Sequence, residues 1–192
     1  MHAVRPELDV MDSTPLIDRI ATLVPGAALE AAASIDVPAV YVPAARLVEV
    51  CRALRDQAQF DLLIEITAVD YLPRQPRYEV VYHLVSTSAL TRARLKVKVP
   101  AGETVPTVQD VWPAAGWPER EVWDLFGIVF DGHPDLRRIL TPDDWEGHPL
   151  RKDHPVQVRK TAQTYEPLEV TEQEFRSSIE RDRVSRDPGA KG

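Results

Sequence analysis

Within residues 91–99, apolar and basic side chains alternate, and this period of two constrains the fold more than any other feature. The apolar positions, followed by the basic ones, are Ala93, Leu95, Val97 and Val99, then Arg92, Arg94, Lys96 and Lys98. Successive side chains of a β-strand point to opposite faces, so the pattern predicts a strand with one buried and one solvated face. Such strands are typical of antiparallel sheets covered on one side.

Two earlier segments show the same alternation, and the stretch 72–76 between them has the prolines expected of a hairpin connection. The side chains predicted to face the core are Phe60, Leu62, Ile64, Ile66, Tyr78, Val80, Tyr82 and Leu84. His83 is predicted to be a solvated cross-strand partner. The basic stripe on 92–98 is expected to lie opposite acids of a neighbouring strand, and the alternative is a surface that attracts an acidic partner.

Two helices are predicted ahead of these strands. Ser13-Thr14-Pro15 offers a hydroxyl cap followed by proline in the first turn, and Pro25-Gly26 ends that helix. A short strand at 39–42 precedes a second helix that begins at Pro43 and places Cys51 on its apolar face. The order of elements predicts an α+β fold, with N-terminal helices packed on a mostly antiparallel sheet.

Charge and cysteine content exclude several classes of function. The net charge of −7 argues against a nonspecific nucleic-acid binder, which would gain affinity by neutralising phosphates. A single cysteine excludes an internal disulfide and a four-thiolate iron–sulfur or zinc site. No apolar run approaches the length of a membrane span, and the N-terminus lacks the apolar core of a signal peptide, so we expect a cytoplasmic location.

The character of the chain changes at about residue 100: nine of the 17 prolines and all four tryptophans lie within residues 100–167. A helix is predicted from Pro118 to Phe126, with Gly127 at its stop and with Arg120 and Asp124 paired four residues apart. We therefore divide the chain into an α+β domain (1–130), an ordered proline-rich docking loop (131–155) and an extended partner-binding tail (156–192). Within the tail, a weak amphipathic helix is predicted at about 171–184, carrying Phe175 and Ile179.

Three kinds of site are compatible with the residues of this second half. A metal site would use His133, His148 and His154, but their spacing matches no compact ligand pattern. A carboxylate site would use Glu119, Glu121 and Asp124, for which salt-linked or dipole-stabilising roles are the simpler interpretation. An interface would use tryptophan and arginine, which dominate binding energies at protein contacts, on proline-locked loops that lose little entropy on docking. The alternative is that the tryptophans cover the domain core, and both can hold for different tryptophans.

One segment resembles a known family. Its residues are Glu119-Arg120-Glu121-Val122-Trp123-Asp124-Leu125-Phe126-Gly127-Ile128, then Gly132-His133-Pro134 and Leu136-Arg137-Arg138-Ile139-Leu140, then Asp144-Trp145-Glu146-Gly147-His148-Pro149-Leu150-Arg151-Lys152-Asp153. These runs resemble the signature of the C subunit of bacterial NADH-quinone oxidoreductase, the 30-kDa subunit family of respiratory complex I. The matching residues that we carry forward as signature or interface residues are Glu119, Arg120, Glu121, Asp124, His133, Arg137, Arg138, Trp145, His148, Arg151 and Lys152.

The resemblance implies a peripheral-arm subunit without catalytic residues, cofactors or metals of its own. FMN, iron–sulfur clusters, NADH and quinone would be bound by other subunits of a proton-translocating complex. The implied partners are the quinone-pocket (D) and iron–sulfur (B) subunits. The chain would reach the membrane only through the complex, at the cytoplasmic face of the inner membrane. The alternatives are the equivalent subunit of a membrane-bound hydrogenase or a non-NADH quinone reductase, or a free-standing enzyme that uses the carboxylate cluster.

Overall fold

The computed structural model describes residues 11–155 and 171–186. The chain divides into two units, residues 1–154 and 155–192. The helices are α1 (Thr14–Leu23), α2 (Leu47–Ala58), α3 (Gly116–Phe126) and α4 (Glu172–Arg186). The strands are β1 (Glu30–Ala32), β2 (Ala39–Tyr41), β3 (Leu62–Asp70), β4 (Tyr78–Ser86), β5 (Thr91–Val99), β6 (Thr104–Pro106) and β7 (Val129–Asp131). The predicted α+β class is confirmed.

The first unit is organised around a five-stranded sheet with the order β1-β2-β5-β4-β3. Neighbouring strands are antiparallel except for β2 and β5, which pair in parallel. In the register, Tyr82 lies between Ile66 of β3 and Leu95 of β5, so the three alternating strands share one apolar face. A separate two-stranded parallel sheet joins β6 to β7, and the sequence pattern did not predict either of these strands or β1.

The core lies on the apolar face of the sheet, beneath α1, α2 and α3. Ile20 of α1, Leu54 of α2 and Val122 of α3 are buried in the same cluster as Tyr82 and Leu95. Cys51 is also fully buried there, as its place on the apolar side of α2 predicts. Burial raises the pKa of this thiol far above its usual value, so the group stays protonated and packs as a small apolar side chain.

Two helix starts differ from the sequence prediction. The Ser13 hydroxyl does not cap α1: it accepts the backbone N–H of Ala39 at 2.9 Å, and Asp12 instead accepts the N–H of Thr14 at 2.9 Å. Helix α3 begins at Gly116, two residues before Pro118, because a 3₁₀ turn at Pro113–Ala115 runs directly into it. The first difference arises from a contact 26 residues away in sequence, whereas the second arises from a turn directly before the helix.

The predicted inward face of β3 is wrong at its beginning. Leu62 and Ile64 are 44% and 55% exposed, whereas Leu63 is only 4% exposed. Leu63 pairs with Leu84 and Glu65 pairs with His83, so Ile64 is the extra residue of a β-bulge. A bulge shifts the phase of a strand by one residue, and this shift moves Leu62 and Ile64 to the solvent side.

The opposite face of the sheet carries the basic stripe, and most of its cations are paired within the chain. Lys96 bonds Glu79 at 2.9 Å, Lys98 bonds Glu30 at 2.7 Å and Arg94 bonds Asp36 at 3.3 Å. The predicted pairing with an acid of a neighbouring strand is therefore confirmed for Lys96, whose partner Glu79 lies on β4. The partner of Lys98 lies on β1, two strands away from β5, and the partner of Arg94 lies in the segment between β1 and β2.

Two side chains on this face are less solvated than the alternation predicts. Glu79 is only 5% exposed, because the Tyr41 hydroxyl and Lys96 cover it. His83 lies in register between Glu65 and Arg94 and is half-buried, and burial together with Arg94 lowers its pKa.

The second unit contains α4, which confirms the predicted helix near 171–184. Its start is a capping box: the Thr171 hydroxyl accepts the N–H of Glu174, and the Glu174 carboxylate accepts the N–H of Thr171. Phe175 and Ile179 are exposed on this helix. The rest of the predicted tail, 156–170 and 187–192, lies outside the described residues.

The bulge in β3 can be tested with two adjacent leucines. Leu63→Ala is expected to lower the free energy of unfolding by about 2–5 kcal/mol, because it empties a packed core position. Leu62→Ala is expected to cost less than about 1 kcal/mol, because that side chain is largely solvated. Urea unfolding measures both values. A larger loss for Leu62→Ala than for Leu63→Ala would show that β3 has no bulge at this point.

Candidate functional site

The candidate site is built on α3, three of whose charged side chains point into the protein and are buried. Glu119 and Asp124 are fully buried and Arg120 is 8% exposed, whereas Glu121 points to solvent. Buried charges are costly unless they are paired or hydrogen-bonded. The partners of these side chains therefore decide what the signature segment does.

Asp124 organises the beginning of the proline-rich segment. One carboxylate oxygen accepts hydrogen bonds from Arg138 at 2.7 Å and from the Thr141 hydroxyl. The other accepts the backbone N–H groups of Ile139, Leu140 and Thr141 at 2.9–3.1 Å. Burial opposes ionisation, but these donors outweigh it and hold the pKa of Asp124 well below its usual range. The ionised carboxylate therefore fixes three consecutive peptide units of a segment that has no helix or strand.

Arg138 connects Asp124 to the next turn of the segment. Its guanidinium also donates to the carbonyls of Trp145 at 2.6 Å and Gly147 at 3.2 Å, and it lies 5.9 Å from the centre of the Trp123 ring. Arg138 thus finds its partners within its own chain. Arg137 is 73% exposed, so a partner contact stays a prediction for that side chain.

The predicted pair between Arg120 and Asp124 is wrong. Arg120 donates to the carbonyls of Arg137 at 3.1 Å and Arg138 at 2.9 Å, and its nearest carboxylate is Asp135 at 3.8 Å. The reason is that the proline-rich segment folds against α3 and supplies each side chain with a better-placed partner than the helix does. Arg120 and Asp124 therefore hold the same segment from two positions.

The three histidines of this region have separate structural contacts. His133 places Nε2 3.0 Å from the Gly116 carbonyl, while its Nδ1 accepts the N–H of Asp135, which fits the Nε2–H tautomer. His148 bonds the Asp124 carbonyl at 2.9 Å. His154 stacks on Trp145 with ring centres 6.4 Å apart. Within the described parts of the chain, no three His, Cys, Asp or Glu side chains lie close enough together to hold a metal ion.

Gly127 allows His148 to reach the end of α3. This glycine has φ +76° and ends the helix in the left-handed conformation, as the sequence predicts. A Cβ atom at this position would lie 2.6 Å from Cδ2 of His148. The Leu150 N–H also donates to the Leu125 carbonyl at 3.0 Å, so both contacts satisfy carbonyls near the C-terminus of α3.

The far end of the segment is fixed to the sheet by Arg77 and Asp70, two residues that the sequence analysis did not single out. Arg77, 6% exposed, forms two hydrogen bonds with Asp70 at 2.7–3.0 Å and two with Asp153 at 2.8–3.0 Å. Arg151 also bonds Asp153, and the Lys152 N–H donates to Asp70. The Arg77 hydrogen bonds are the main cause that lowers the pKa of Asp70 to about 2.

We call the contacts of Asp124 and Arg138 the first clamp of the proline-rich segment, and those of Arg77 and Asp70 the second clamp. One signal in the sequence could have revealed the second clamp. Asp70 continues the inward-facing series of Ile66 and Ala68, where a charged residue is out of place unless it has a buried partner. Arg77 stands just before the next buried strand, within reach of Asp70 across the hairpin. The pattern does not reveal Asp153, which is 76 residues away from Arg77 along the chain.

Glu119 has a different environment from the other buried charges. Its carboxyl group accepts hydrogen bonds from the Val108 N–H at 2.8 Å and from the Thr107 hydroxyl. The closest ring nitrogen, Nε2 of His133, is 3.9 Å away and already bonds the Gly116 carbonyl. Burial raises the pKa of Glu119 to about 7 in spite of these hydrogen bonds. Glu119 therefore connects α3 to the turn after β6 without an opposing charge.

The four tryptophans divide between core and surface. Trp112 is 4% exposed and belongs to the core, while Trp123 and Trp145 are partly buried. Trp117 is 64% exposed, and the Arg120 guanidinium lies 5.1 Å from the centre of its ring. Asp135 lies between Arg120 and Arg137 and forms an ion pair with Arg137 at 3.0 Å. We refer to Trp117, Arg120, Asp135 and Arg137 as the Trp117 surface.

Glu119 should make stability depend on pH. Below about pH 4.5 the group is protonated in both folded and unfolded chains. As pH rises toward 7 only the unfolded chain ionises freely, so the free energy of unfolding should fall by about 3 kcal/mol. Glu119→Gln should remove this dependence, and the exposed Glu121→Gln should retain it. Urea unfolding between pH 4.5 and 7.5 provides the comparison, and equal slopes for wild type and Glu119→Gln would contradict the assignment.

Asp124 should be the residue on which the proline-rich segment depends most. Asp124→Ala leaves Arg138 and three backbone N–H groups without their acceptor, and we expect a loss of about 3–5 kcal/mol in the free energy of unfolding. The control Asp135→Ala removes an exposed ion pair and should cost less than about 1 kcal/mol. Limited proteolysis should cleave residues 136–155 faster only in Asp124→Ala. Unchanged cleavage in that variant would refute the organising role of Asp124.

None of the helices in the described ranges combines the length and apolar character needed to cross a lipid bilayer.

Comparison with known proteins then places the chain among its relatives. Residues 40–160 match the family described as "Respiratory-chain NADH dehydrogenase, 30 Kd subunit". This range contains the sheet strands β3–β5, α3 and both clamps of the proline-rich segment.

Two relatives and one solved structure illustrate the similarity. The C subunit of NADH-quinone oxidoreductase from Roseiflexus sp. is 45% identical over 158 residues, which cover 81% of this chain and 91% of the relative. The C/D subunit of NADH-quinone oxidoreductase from Methylococcus capsulatus is 46% identical over 144 residues, 70% of this chain and 24% of the relative. A chain in the structure of the membrane-bound sulfane sulfur reductase, an archaeal respiratory membrane complex, is 31% identical with a TM-score of 0.63, covering 74% of this chain and 85% of that one.

The matched residues include the whole signature segment, and the match to the Roseiflexus protein extends over most of both chains. The resemblance found in the sequence is therefore confirmed. The chain belongs to the family of the respiratory-chain NADH dehydrogenase 30 kDa subunit, which includes the C subunit of bacterial NADH-quinone oxidoreductase.

Proposed function

We propose that this chain is a non-catalytic peripheral-arm subunit of an NADH-quinone oxidoreductase and scaffolds the subunits that form the quinone site. The complex transfers electrons from NADH through FMN and iron–sulfur clusters to quinone and couples this transfer to proton translocation. In this proposal those cofactors are bound by other subunits. The chain contributes a rigid surface rather than reacting groups.

The observation that carries this proposal is the engagement of the signature residues within the chain. Asp124, Arg138 and Arg120 hold the proline-rich segment against α3, and Arg77 holds its far end against the sheet. Carboxylates that accept this many hydrogen bonds are poor general acids or bases, because their pKa values lie far below neutral pH. The segment is thus built to keep a shape, which supports a scaffolding role over a free-standing enzyme.

The Trp117 surface is the best candidate for the surface that contacts a neighbouring subunit. An exposed tryptophan beside arginine is the combination most enriched at the energetic centres of protein interfaces. Arg120 is held by two carbonyls of its own chain, so it supports the Trp117 ring without needing to order on docking. The same proline-rich segment also exposes Leu140 and Leu150, at 60% and 52%.

We propose the quinone-pocket (D) and iron–sulfur (B) subunits as the neighbours of this chain. The Methylococcus relative is named as a C/D protein, and joining two subunits in one chain favours their being adjacent in the complex. The iron–sulfur neighbour is carried over from the family resemblance alone. The chain would lie on the cytoplasmic side of the inner membrane and reach the bilayer only through the complex.

The second candidate is the equivalent subunit of a related respiratory complex that does not use NADH. The observation in its favour is the similarity to a chain of the membrane-bound sulfane sulfur reductase complex. The two candidates share the scaffolding role and differ in the subunits that accompany this chain. Affinity purification of the tagged chain from solubilised membranes, followed by mass spectrometry, separates them. Co-purified NADH-binding flavoprotein subunits support the first candidate, and their absence from an otherwise intact complex supports the second.

The Trp117 surface can be tested in the assembled complex. Trp117→Ala is expected to weaken docking by about 2 kcal/mol, roughly thirtyfold in affinity, because it removes the largest exposed side chain of the contact. Native gels of membranes should then show less complex containing this chain. Leu90→Ala is the control, because Leu90 is 88% exposed on the turn between β4 and β5. Normal assembly of Trp117→Ala with normal stability of the isolated chain would refute this contact.

A further inference from the structure

A groove lies at the end of the five-stranded sheet, where β3 turns into β4. Its volume is about 230 Å³, and three tyrosines contribute to its walls. Its tyrosine and charged lining residues are Tyr41, Tyr71, Tyr78, Arg74, Glu79 and Lys98. The groove is separate from the contacts that hold the signature segment to α3.

Two of the three charged residues in the groove wall already have partners. Glu79 accepts the Tyr41 hydroxyl at 2.9 Å and bonds Lys96 at 2.9 Å, and Lys98 bonds Glu30 at 2.7 Å. The side chain of Arg74 makes no hydrogen bond or ion pair with any residue in the described ranges. The groove therefore has one free guanidinium at its edge.

A second free cation is held near the same end of the sheet. Asp70 accepts the N–H of Leu72 at 2.9 Å and the N–H of Lys152 at 2.9 Å, so the turn carrying Arg74 and the end of the proline-rich segment share one anchor. The Lys152 ammonium group has no ion pair among the described residues. In a chain with a net charge of −7, this end of the sheet presents two cations that the described part of the chain does not neutralise.

The turn that carries Arg74 is already ordered. The Arg74 N–H donates to the Tyr71 carbonyl at 2.8 Å, and the Tyr71 N–H donates to the Arg77 carbonyl at 2.7 Å. Pro73 and Pro76 fix the backbone φ angle on either side. Little backbone entropy is therefore lost when a ligand binds here, which favours use of this turn in recognition.

We propose that this groove, which we call the tyrosine groove, docks an acidic peptide segment of a neighbouring protein subunit. A carboxylate of the segment pairs with the fork of Arg74, with Lys152 adding attraction. An adjacent side chain of the segment packs against the ring of Tyr71, which is partly exposed. This inference rests on the proposed function only in assuming that the chain has protein neighbours, and it adds a contact beyond the Trp117 surface.

The shape of the site favours a peptide over an anionic membrane surface. The tyrosine groove is concave and has the size of a side chain, whereas attraction to a lipid surface depends on several exposed cations in one plane.

Site-specific crosslinking in the assembled complex tests the proposal. A photoreactive amino acid replaces Gln75, which lines the groove and is exposed, in the full chain expressed in cells that lack the native copy. After irradiation of membranes, we expect a crosslink to a peptide of another subunit that contains Asp or Glu. Adding Arg74→Glu should reduce the crosslink yield about tenfold, the loss expected for a charge-assisted hydrogen bond. Tyr71→Ala should also reduce it.

The matched control is Arg92→Glu, which reverses an arginine of β5 that has no ion pair with any described residue and does not line the groove. It should leave the Gln75 crosslink unchanged, and thermal unfolding of each isolated variant shows that the fold is kept. A crosslink only to lipid, or none while the chain still co-purifies with its complex, would overturn the tyrosine groove and leave the proposed function intact. An equal loss of crosslink yield with Arg92→Glu would show that the yield depends only on net charge, and this result would also overturn the tyrosine groove. Failure of the chain to co-purify with any complex would overturn both proposals.

Discussion

The buried carboxylate of Asp124 is the interaction on which the rest of the signature segment depends. Residues 132–155 contain no helix or strand, so their backbone groups need partners elsewhere. Asp124 accepts hydrogen bonds from three consecutive N–H groups. Its ion-pair partner Arg138 donates hydrogen bonds to two further carbonyls. A single ionised group on a rigid helix thus replaces the hydrogen-bond ladder that a regular element would supply.

The second clamp explains why the segment keeps one shape along its whole length. Arg77 and Asp70 stand at the end of the β3–β4 hairpin and hold Asp153 and Lys152, far from Asp124. Because an irregular loop pinned at one end would still move at the other, both clamps are needed to present a fixed surface. The same hairpin end forms the tyrosine groove, so the clamp that orders the segment also sets the place of Lys152 beside it.

The sequence predicted those features that depend on local periodicity or on a local stop signal. The alternation of β5, the burial of Cys51 and the end of α3 at Gly127 all follow from residues close together in the chain. It predicted the wrong partner for Arg120, because the proline-rich segment supplies a better-placed one, and the wrong phase for Leu62, because a bulge at Ile64 interrupts the alternation. The signature identified the family, but did not show which of its charged residues turn inward.

The sequence by itself determined the α+β class, the apolar face of the sheet and the family, since the hydrophobic effect and a dense run of characteristic residues are written directly in the order of side chains. Only the tertiary structure decided the partners of Asp124, Asp70 and Glu119. A buried charge must find compensation wherever the folded chain can offer it, and the strength of that compensation depends on geometry rather than on sequence distance. For this reason Asp124 is strongly ionised while Glu119, on the same helix, has a pKa of about 7.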